Sequence, residues 1–141
     1  MQYVVESRQI AAQPIAVVTG RTVSANLPRK IRELFDQFYS GFKSKGELNI
    51  VYYPGTGDAD EFEIRCGVQV VSDGNDATPA GTVATTVYMG PYDRMKPAHE
   101  AIRQWAQENG RKFAGPSWEV YGHWSDDPAQ LRTDIFYLLS P

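Results

Sequence analysis

Ile15-Ala-Val-Val-Thr-Gly20 and Val83-Ala-Thr-Thr-Val-Tyr-Met-Gly90 are two stretches with the same pattern, and the predicted fold depends on them. Each is an apolar strand pattern that ends in glycine and leads into an amphipathic helix pattern. Two more strand patterns follow each helix, at 48–53 and 61–70 in the first half and at 117–124 and 132–139 in the second. The chain therefore repeats a βαββ unit, and two such units that face each other leave a seam in which a ligand can bind.

The repeat also appears as matched positions 71 residues apart. Shifting the first helix by this offset places Leu27, Ile31, Leu34 and Phe35 on Ala98, Ile102, Trp105 and Ala106. The same shift places Glu63-Ile64 on Asp134-Ile135. The sequence thus predicts two similar halves over most of the chain.

Length and composition indicate one domain over residues 1–141. The chain has 141 residues, of which 42% are hydrophobic and 22% are charged, as in an ordinary globular protein. We predict repeat one at about 1–71, a polar linker at 72–81 and repeat two at about 82–141. Each half has too small a core to stand alone, so the linker joins repeats and not domains.

The predicted fold class is α+β, with a mostly antiparallel sheet, both helices packed on one face and a cleft between the repeats. A strand at 3–8 opens the chain, and strict alternation at 62–70 predicts a half-buried antiparallel strand. The first helix has Pro28 in its first turn and the second, at about 94–109, has Pro97 there. The candidate caps of the first helix are Ser24 and Asn26.

Charge and cysteine content limit which partners and which cellular compartment we expect. A net charge of -3 and a pI of about 5.3 argue against a nucleic-acid surface, and the one dense basic run, 29–32, is predicted to be a solvated helix face. The single cysteine, Cys66, forms no internal disulfide, and the first residues lack the apolar core of a signal peptide. We therefore expect a cytoplasmic protein without direct nucleic-acid or membrane partners.

Other sites of known chemistry have no support in the sequence. His99 and His123 lack further ligands at metal spacing, so we predict no metal and no cofactor. The Gly-x-Ser-x-Gly pattern of a nucleophile elbow is absent, and Gly55-Thr-Gly57 lacks the rest of a dinucleotide fingerprint. Cys66 lies on the apolar face of its strand, where an inert core thiol is expected.

Glu119 is the main candidate for a functional residue. In a strand it shares a face with Tyr121, while Trp118 and Val120 share the other. If Trp118 and Val120 face the core, Glu119 is solvated or structurally paired. If the face of Glu119 and Tyr121 lines a cavity, a costly buried carboxylate needs a cationic or hydrogen-bonding partner. A ligand cation can be this partner, and neighbouring aromatic faces would attract the same cation.

Aromatic residues are the second indication of a binding site, with eight Tyr, three Trp and six Phe. Tyr88 and Tyr92 flank Gly90-Pro91 at the turn from strand to helix, where a tyrosine suits a pocket wall or a wet edge. Adjacent Tyr52 and Tyr53 point to opposite faces of their strand, so at most one of them enters the seam.

The residues described so far resemble the GyrI-like small-molecule-binding domains, a family that includes effector-binding halves of multidrug-responsive regulators. The resemblance covers essentially the whole chain. Its motifs are Val51-Tyr52-Tyr53, Glu63-Ile-Arg-Cys66, Gly90-Pro91-Tyr92, Trp105, Trp118-Glu119-Val120-Tyr121 and Leu131-Arg-Thr-Asp-Ile135.

The resemblance implies a cleft between the repeats with a pocket glutamate at Glu119, which in multidrug-sensing members meets cationic, planar aromatic compounds. The tyrosines that match its motifs are Tyr92 and Tyr121. The resemblance adds further candidate ligand-binding residues: Tyr53, Tyr88, Trp118 and Tyr137. No helix-turn-helix pattern precedes or follows the domain in this sequence, so we expect DNA binding only through a separate partner.

Three functional hypotheses follow. The first is stand-alone binding, by sequestration or sensing, of hydrophobic, cationic aromatic molecules in an aromatic cleft with a buried glutamate. The second, implied by family members with a similar layout, is hydrolysis of electrophilic cyclopropane-containing compounds, with Glu119 as catalytic base and Tyr121 or Tyr92 as helper. The third, implied by gyrase-inhibitory relatives, is modulation of a topoisomerase partner.

Overall fold

The computed structural model describes residues 3–55 and 60–141. In chain order its strands are β1 (Glu6–Ile10), β2 (Pro14–Thr22), β3 (Asn49–Tyr53), β4 (Phe62–Gln69), β5 (Asp76–Ala77), β6 (Gly81–Met89), β7 (Phe113–Tyr121) and β8 (Arg132–Leu139). The α-helices are α1 (Leu27–Ser40) and α2 (Lys96–Glu108). Short 3-10 turns at Ser24–Asn26, Tyr92–Arg94 and Pro128–Gln130 complete the set.

All the described strands belong to one sheet, in the order β1-β6-β8-β7-β3-β4-β2-β5, and every pair is antiparallel. The first half contributes β2, β4 and β3, and the second contributes β6, β8 and β7 in mirrored positions. The halves join where β3 pairs with β7. The fold is therefore α+β with two βαββ halves, as predicted from the sequence.

Both helices pack on the same face of the sheet. Buried Leu34 of α1 belongs to one apolar cluster and buried Ile102 of α2 to another, and Tyr121 of β7 packs against both clusters. Pro28 and Pro97 lie in the first turns of the helices, as predicted, where a missing N–H costs nothing. The predicted side-chain cap of α1 is wrong, since neither Ser24 nor Asn26 makes one.

The number of residues that separates matching positions in the two halves differs between the helices and the last strands. The buried residues of α1, Leu34 and Phe38, correspond to Ile102 and Ala106 of α2, 68 positions later. The offset of 71 matches Ile64 of β4 to Ile135 of β8, which are both buried in the helix-covered layer. The connections differ in length, so the 71-residue shift aligns the last strands and not the helices.

Strand β7 is buried on both of its faces at residues 118–120. Trp118 and Val120 belong to an apolar cluster with residues of β2, β3 and β6, on the face that no described helix covers. This burial without a helix means that the sheet curls around the cluster. Glu119 and Tyr121 lie on the helix-covered face. The two alternatives posed by the sequence therefore do not exclude each other, because both faces of the strand are covered at Trp118, Glu119 and Val120.

Several boundaries differ from the sequence-based ones. β1 lies at Glu6–Ile10, not at 3–8, and pairs with β6 of the second half. β7 begins earlier, at Phe113, and ends at Tyr121 because the chain turns away towards Asp127. α2 begins at Lys96, after the 3-10 turn. The run 54–58, whose proline and glycines are typical of a turn, lies mostly outside the described residues.

The segment 72–81 carries its own short pairing. Asp76–Ala77 forms β5 on the outer edge of β2, and the Asn75 side chain accepts from the Val17 N–H at 3.0 Å and donates to its carbonyl at 2.8 Å. The polar composition of this segment is therefore consistent with its place at the edge of the sheet.

In the described part of the chain, neither helix has the length and apolar character that a bilayer crossing requires.

Candidate ligand-binding site

A pocket of about 640 Å³ lies over the seam between β3 and β7. One wall comes from α1 and the other from the turn that leads into α2, so each half of the protein contributes a side. The α1 wall is apolar and consists of Leu27, Pro28, Ile31 and Phe35. A pocket of this volume accommodates a drug-sized organic molecule.

Aromatic rings form much of the remaining surface. Tyr121 rises from the sheet and meets Tyr92 edge to face, with ring centroids 5.2 Å apart. Tyr53 lines the pocket from β3, and Trp124 lines it from the loop after β7. Trp124 is 72% exposed, which leaves its ring free to cover a flat ligand.

Glu119 lies at the base of the pocket and is 8% exposed. Tyr121 donates its hydroxyl hydrogen to Oε1 of Glu119 at 2.5 Å, and Nε2 of His99 lies 2.7 Å from Oε2. Among the residues that the structure describes, Glu119 is the one buried side chain that ordinarily carries a charge. Both of its oxygens are hydrogen-bonded, which makes the burial tolerable.

A chain of polar groups continues behind Glu119, away from the pocket. His99 of α2 places Nδ1 2.7 Å from the Tyr137 hydroxyl of β8. Arg103, one turn further along α2, donates to the same hydroxyl at 3.4 Å and lies with its guanidinium 6.0 Å from the Tyr137 ring. The carboxylate in the pocket is thereby connected to a half-exposed arginine on the surface.

The hydroxyl groups around Glu119 stay protonated. Burial raises the pKa of Tyr121 well above its usual value, and the adjacent Glu119 carboxylate adds to the shift. Burial and then Glu119 raise the pKa of Tyr53 in the same way. Burial also raises the pKa of Tyr137, which Arg103 partly opposes. These tyrosines are therefore neutral hydrogen-bond donors at any physiological pH.

The structure brings four of the predicted site residues to the pocket lining: Glu119, Tyr121, Tyr92 and Tyr53. Tyr137 lies behind them and reaches Glu119 only through His99.

Two predicted residues lie elsewhere. Tyr88 is buried, and its hydroxyl donates to the carbonyl of Pro91 at 2.6 Å. This bond holds the turn at Gly90, where φ is +147° and an added Cβ would lie 2.8 Å from the same hydroxyl. Trp118 is 3% exposed on the opposite face of the sheet and stacks on Phe136, with centroids 5.4 Å apart.

Sequence reasoning missed two residues of the site. His99 appeared isolated because its partners are 20 and 38 positions away in the chain. One signal was available, since His99 adjoins Ala98 on the apolar stripe of α2, where a polar group needs a partner. Trp124 appeared to belong to the strand, and its exposure in a loop became visible only in the structure.

Cys66 offers a test of the packing beneath the site. It is completely buried in β4, and burial together with Glu119 raises the pKa of its thiol to about 12. At pH 8 about one thiol in ten thousand is then ionised. We expect no measurable reaction with a dithiobisnitrobenzoate over minutes in the native protein and immediate reaction in denaturant. Fast native reaction would contradict this packing.

No group of three or more histidine, cysteine or acidic side chains with metal-binding geometry occurs within residues 3–55 and 60–141. The site as described consists of an aromatic pocket, a hydrogen-bonded carboxylate and a histidine behind it.

A duplicated βαββ sheet with an open aromatic pocket between its halves defines a small-molecule-binding domain. Residues 3–139 match the family model of the GyrI-like small molecule binding domain, and the chain belongs to that family. No curated protein is significantly similar to it in sequence.

Solved structures with the same fold include one determined in complex with DNA. The EcmrR–DNA complex matches with a TM-score of 0.70 and 18% identity, covering 98% of this chain and 57% of the EcmrR chain. This chain thus spans little more than half the length of the EcmrR chain. The EcmrR C-terminal domain alone matches with a TM-score of 0.65 and 20% identity, covering 99% of both chains.

Two other similar structures are a complex with a ligand and a protein named as a hydrolase. SAV2435 bound to tetraphenylphosphonium has a TM-score of 0.65 and 12% identity, covering 99% of this chain and 94% of that one. A hydrolase encoded by lin2189 from Listeria innocua has a TM-score of 0.54 and 12% identity, covering 96% and 91%. At these identities the likeness establishes the fold.

Proposed function

We propose that this protein binds hydrophobic cations that carry flat aromatic groups, and that it acts by sequestering or sensing them. The observation that carries the proposal is the Glu119 carboxylate, buried at the base of a pocket whose walls are aliphatic side chains and aromatic rings. A buried carboxylate attracts a cation more strongly than an exposed one, because less water screens the pair.

The rings add to this attraction. A cation near the face of a tyrosine or tryptophan gains about 0.5 to 2 kcal/mol, depending on how dry the contact is. Tyr53, Tyr92, Tyr121 and Trp124 all line the pocket. Flat aromatic groups on the ligand also bury apolar surface against α1 at about 25 cal/mol per Å².

The hydrogen bonds at Glu119 favour one kind of cation. Each carboxylate oxygen already accepts a bond from the protein, one from Tyr121 and one from the His99 side. A ligand with a delocalised or shielded charge needs no hydrogen bond from the carboxylate and profits from its field. That SAV2435 was solved with tetraphenylphosphonium bound supports this ligand class.

Sensing would require a link to DNA. The similarity to EcmrR, solved in complex with DNA, supports such a role for the fold. Both described helices pack on the sheet of the pocket domain, so DNA binding would come from another segment or a separate partner. Sequestration needs only the pocket.

The direct test is calorimetric titration of the protein with tetraphenylphosphonium and with triphenylphosphine oxide, a neutral molecule with similar rings. We expect the cation to bind at least about tenfold more tightly, equivalent to about 1.4 kcal/mol. Equal affinities would remove the electrostatic part of the proposal, and no binding of either would remove the proposal itself.

Hydrolysis of electrophilic cyclopropane-containing compounds is a second candidate, favoured by the Glu119–His99–Tyr137 chain of hydrogen bonds. Glu119 would take a proton from water, the water oxygen would bond to the electrophilic carbon, and the strained C–C bond would break. The carbon that leaves would take up a proton. Product formation that disappears in Glu119→Ala would support this reaction, whereas binding without product would exclude it.

Modulation of a topoisomerase, the third expectation from the sequence, gains no support from the fold or the pocket described here.

A further inference from the structure

His99 lies directly behind the pocket and touches it only through Glu119. It is the fourth residue of α2, its side chain is mostly buried, and it does not itself line the pocket. Its two ring nitrogens contact Glu119 and Tyr137, each at 2.7 Å. The contact between His99 and the pocket is therefore made by the Glu119 carboxylate.

The hydrogen-bond network has one assignment in which every donor is paired. Arg103 donates to the Tyr137 oxygen, so the Tyr137 hydroxyl hydrogen is directed to Nδ1 of His99. Nε2 of a neutral imidazole then carries its hydrogen and donates to Glu119. In a protonated imidazole both nitrogens donate, and the Tyr137 hydroxyl hydrogen loses its acceptor. The network thus favours a neutral His99 beside a charged Glu119.

Among the described residues, the other groups around the pair do not supply a compensating buried charge. The groups that face it from the surrounding elements are Tyr53 of β3, Cys66 of β4, Tyr121 of β7, Tyr137 of β8, Tyr92 and Asp93 of the turn, and Lys96, Glu100 and Arg103 of α2. The tyrosines and the cysteine are neutral. Arg103 pairs with Glu100 at 3.3 Å, and the exposed Asp93 and Lys96 carry opposite charges.

We propose that His99 is a specificity-determining residue of the pocket: neutral, it leaves the Glu119 charge available to a cationic ligand, and protonated, it neutralises that charge. The inference rests on the proposed function. It means that a cation and a proton compete, although they bind at different atoms. By linkage, binding of the cation must in turn release a proton from His99.

The sign of the pH effect follows from this competition. Histidine is the side chain that ordinarily changes charge between about pH 5 and 8. Acidification through that range converts a negative site into a neutral ion pair, so affinity for a cation falls, by at most about tenfold per pH unit for one linked proton. A neutral ligand gains or loses little, because its binding does not depend on the carboxylate charge.

The experiment measures the affinity of tetraphenylphosphonium, which has no titratable group, from pH 6 to 8.5, where an ordinary carboxyl stays ionised. For the wild type we expect a several-fold weakening from pH 8 to pH 6, and a change of less than about twofold for triphenylphosphine oxide. Titration in buffers of different ionisation enthalpy should show release of a fraction of one proton per cation at the acidic end of this range.

Two variants assign the effect. His99→Gln can still donate to Glu119 but cannot titrate, so we expect affinity at pH 8 within about threefold of wild type and almost no pH dependence. His123→Gln is the matched control, since His123 is the other of the two histidines and is exposed. It should retain the wild-type profile.

A pH effect that persists in His99→Gln, or that disappears in His123→Gln, would overturn the inference. Should His99→Gln fold poorly, the imidazole signals of the wild type provide the same test, because the cation should move the His99 titration midpoint to lower pH. An unmoved midpoint would overturn the inference too. Tight but pH-independent binding refutes this role alone, whereas absence of cation binding at every pH refutes the proposed function and this role together.

Discussion

Replacement of Glu119 by glutamine is expected to weaken tetraphenylphosphonium binding about 10- to 100-fold, or roughly 1.4 to 2.8 kcal/mol. The substitution keeps the size of the side chain and removes its charge. A charge pair about 4 Å apart gains roughly 4 kcal/mol at an effective dielectric constant near 20. The expected loss is smaller because the His99 and Tyr121 dipoles already stabilise the carboxylate. Calorimetric titration at pH 8 measures the effect.

Asp93→Asn is the matched control for Glu119→Gln. Asp93 also lines the pocket, but it is exposed, and an exposed charge contributes little because water screens it. We expect less than a threefold change for this variant. Triphenylphosphine oxide should bind both variants and the wild type about equally. A similar loss for the cation and the oxide in Glu119→Gln would mean that the side chain shapes the pocket and does not select charge.

Replacement of Trp118 by alanine is expected to lower the free energy of unfolding by about 3 to 5 kcal/mol. Trp118 fills the cluster inside the curled sheet, where it stacks on Phe136 and meets Tyr52 edge to face, with centroids 6.0 Å apart. Removing the indole leaves a cavity that the surrounding strands cannot close. Denaturant unfolding monitored by circular dichroism measures this difference in the free energy of unfolding.

Trp124→Ala is the matched control for Trp118→Ala, since it also removes an indole but from an exposed loop beside the pocket. We expect a change in unfolding free energy within about 0.5 kcal/mol and a several-fold loss of tetraphenylphosphonium affinity. Trp118→Ala should show the reverse, with ordinary affinity in the folded fraction. If Trp118→Ala remained stable and lost binding, the division of the two faces described above would be incorrect.

Much of the fold could be predicted from the sequence because the signals for it are local. Alternation at 62–69 and the apolar stripe of α1 depend only on the geometry of a strand and a helix. The last strand was predicted at the same residues at which β8 occurs. Errors at β1 and at the start of β7 arose where pairing with a distant strand, and not local pattern, sets the boundary.

Less of the candidate site could be predicted. That Glu119 and Tyr121 share a face follows from their spacing, and both line the pocket. The position of Trp118 does not follow from spacing, because a strand pattern cannot tell a helix-covered face from the inside of a curled sheet. Tyr88 illustrates the same difficulty, since only the turn around Gly90 shows that its hydroxyl is used within the protein.

The duplicated βαββ order, the helix and strand faces and the candidate carboxylate all follow from the amino-acid sequence alone, because they depend on periodicity over a few residues. The three-dimensional structure was needed to show that His99 meets Glu119 and Tyr137, and that the exposed Trp124 lines the same pocket. These contacts form when α2 packs on the sheet and the loop after β7 takes its position beside the pocket. This packing brings together residues that are far apart in the chain, and local sequence patterns do not predict which of them make contact.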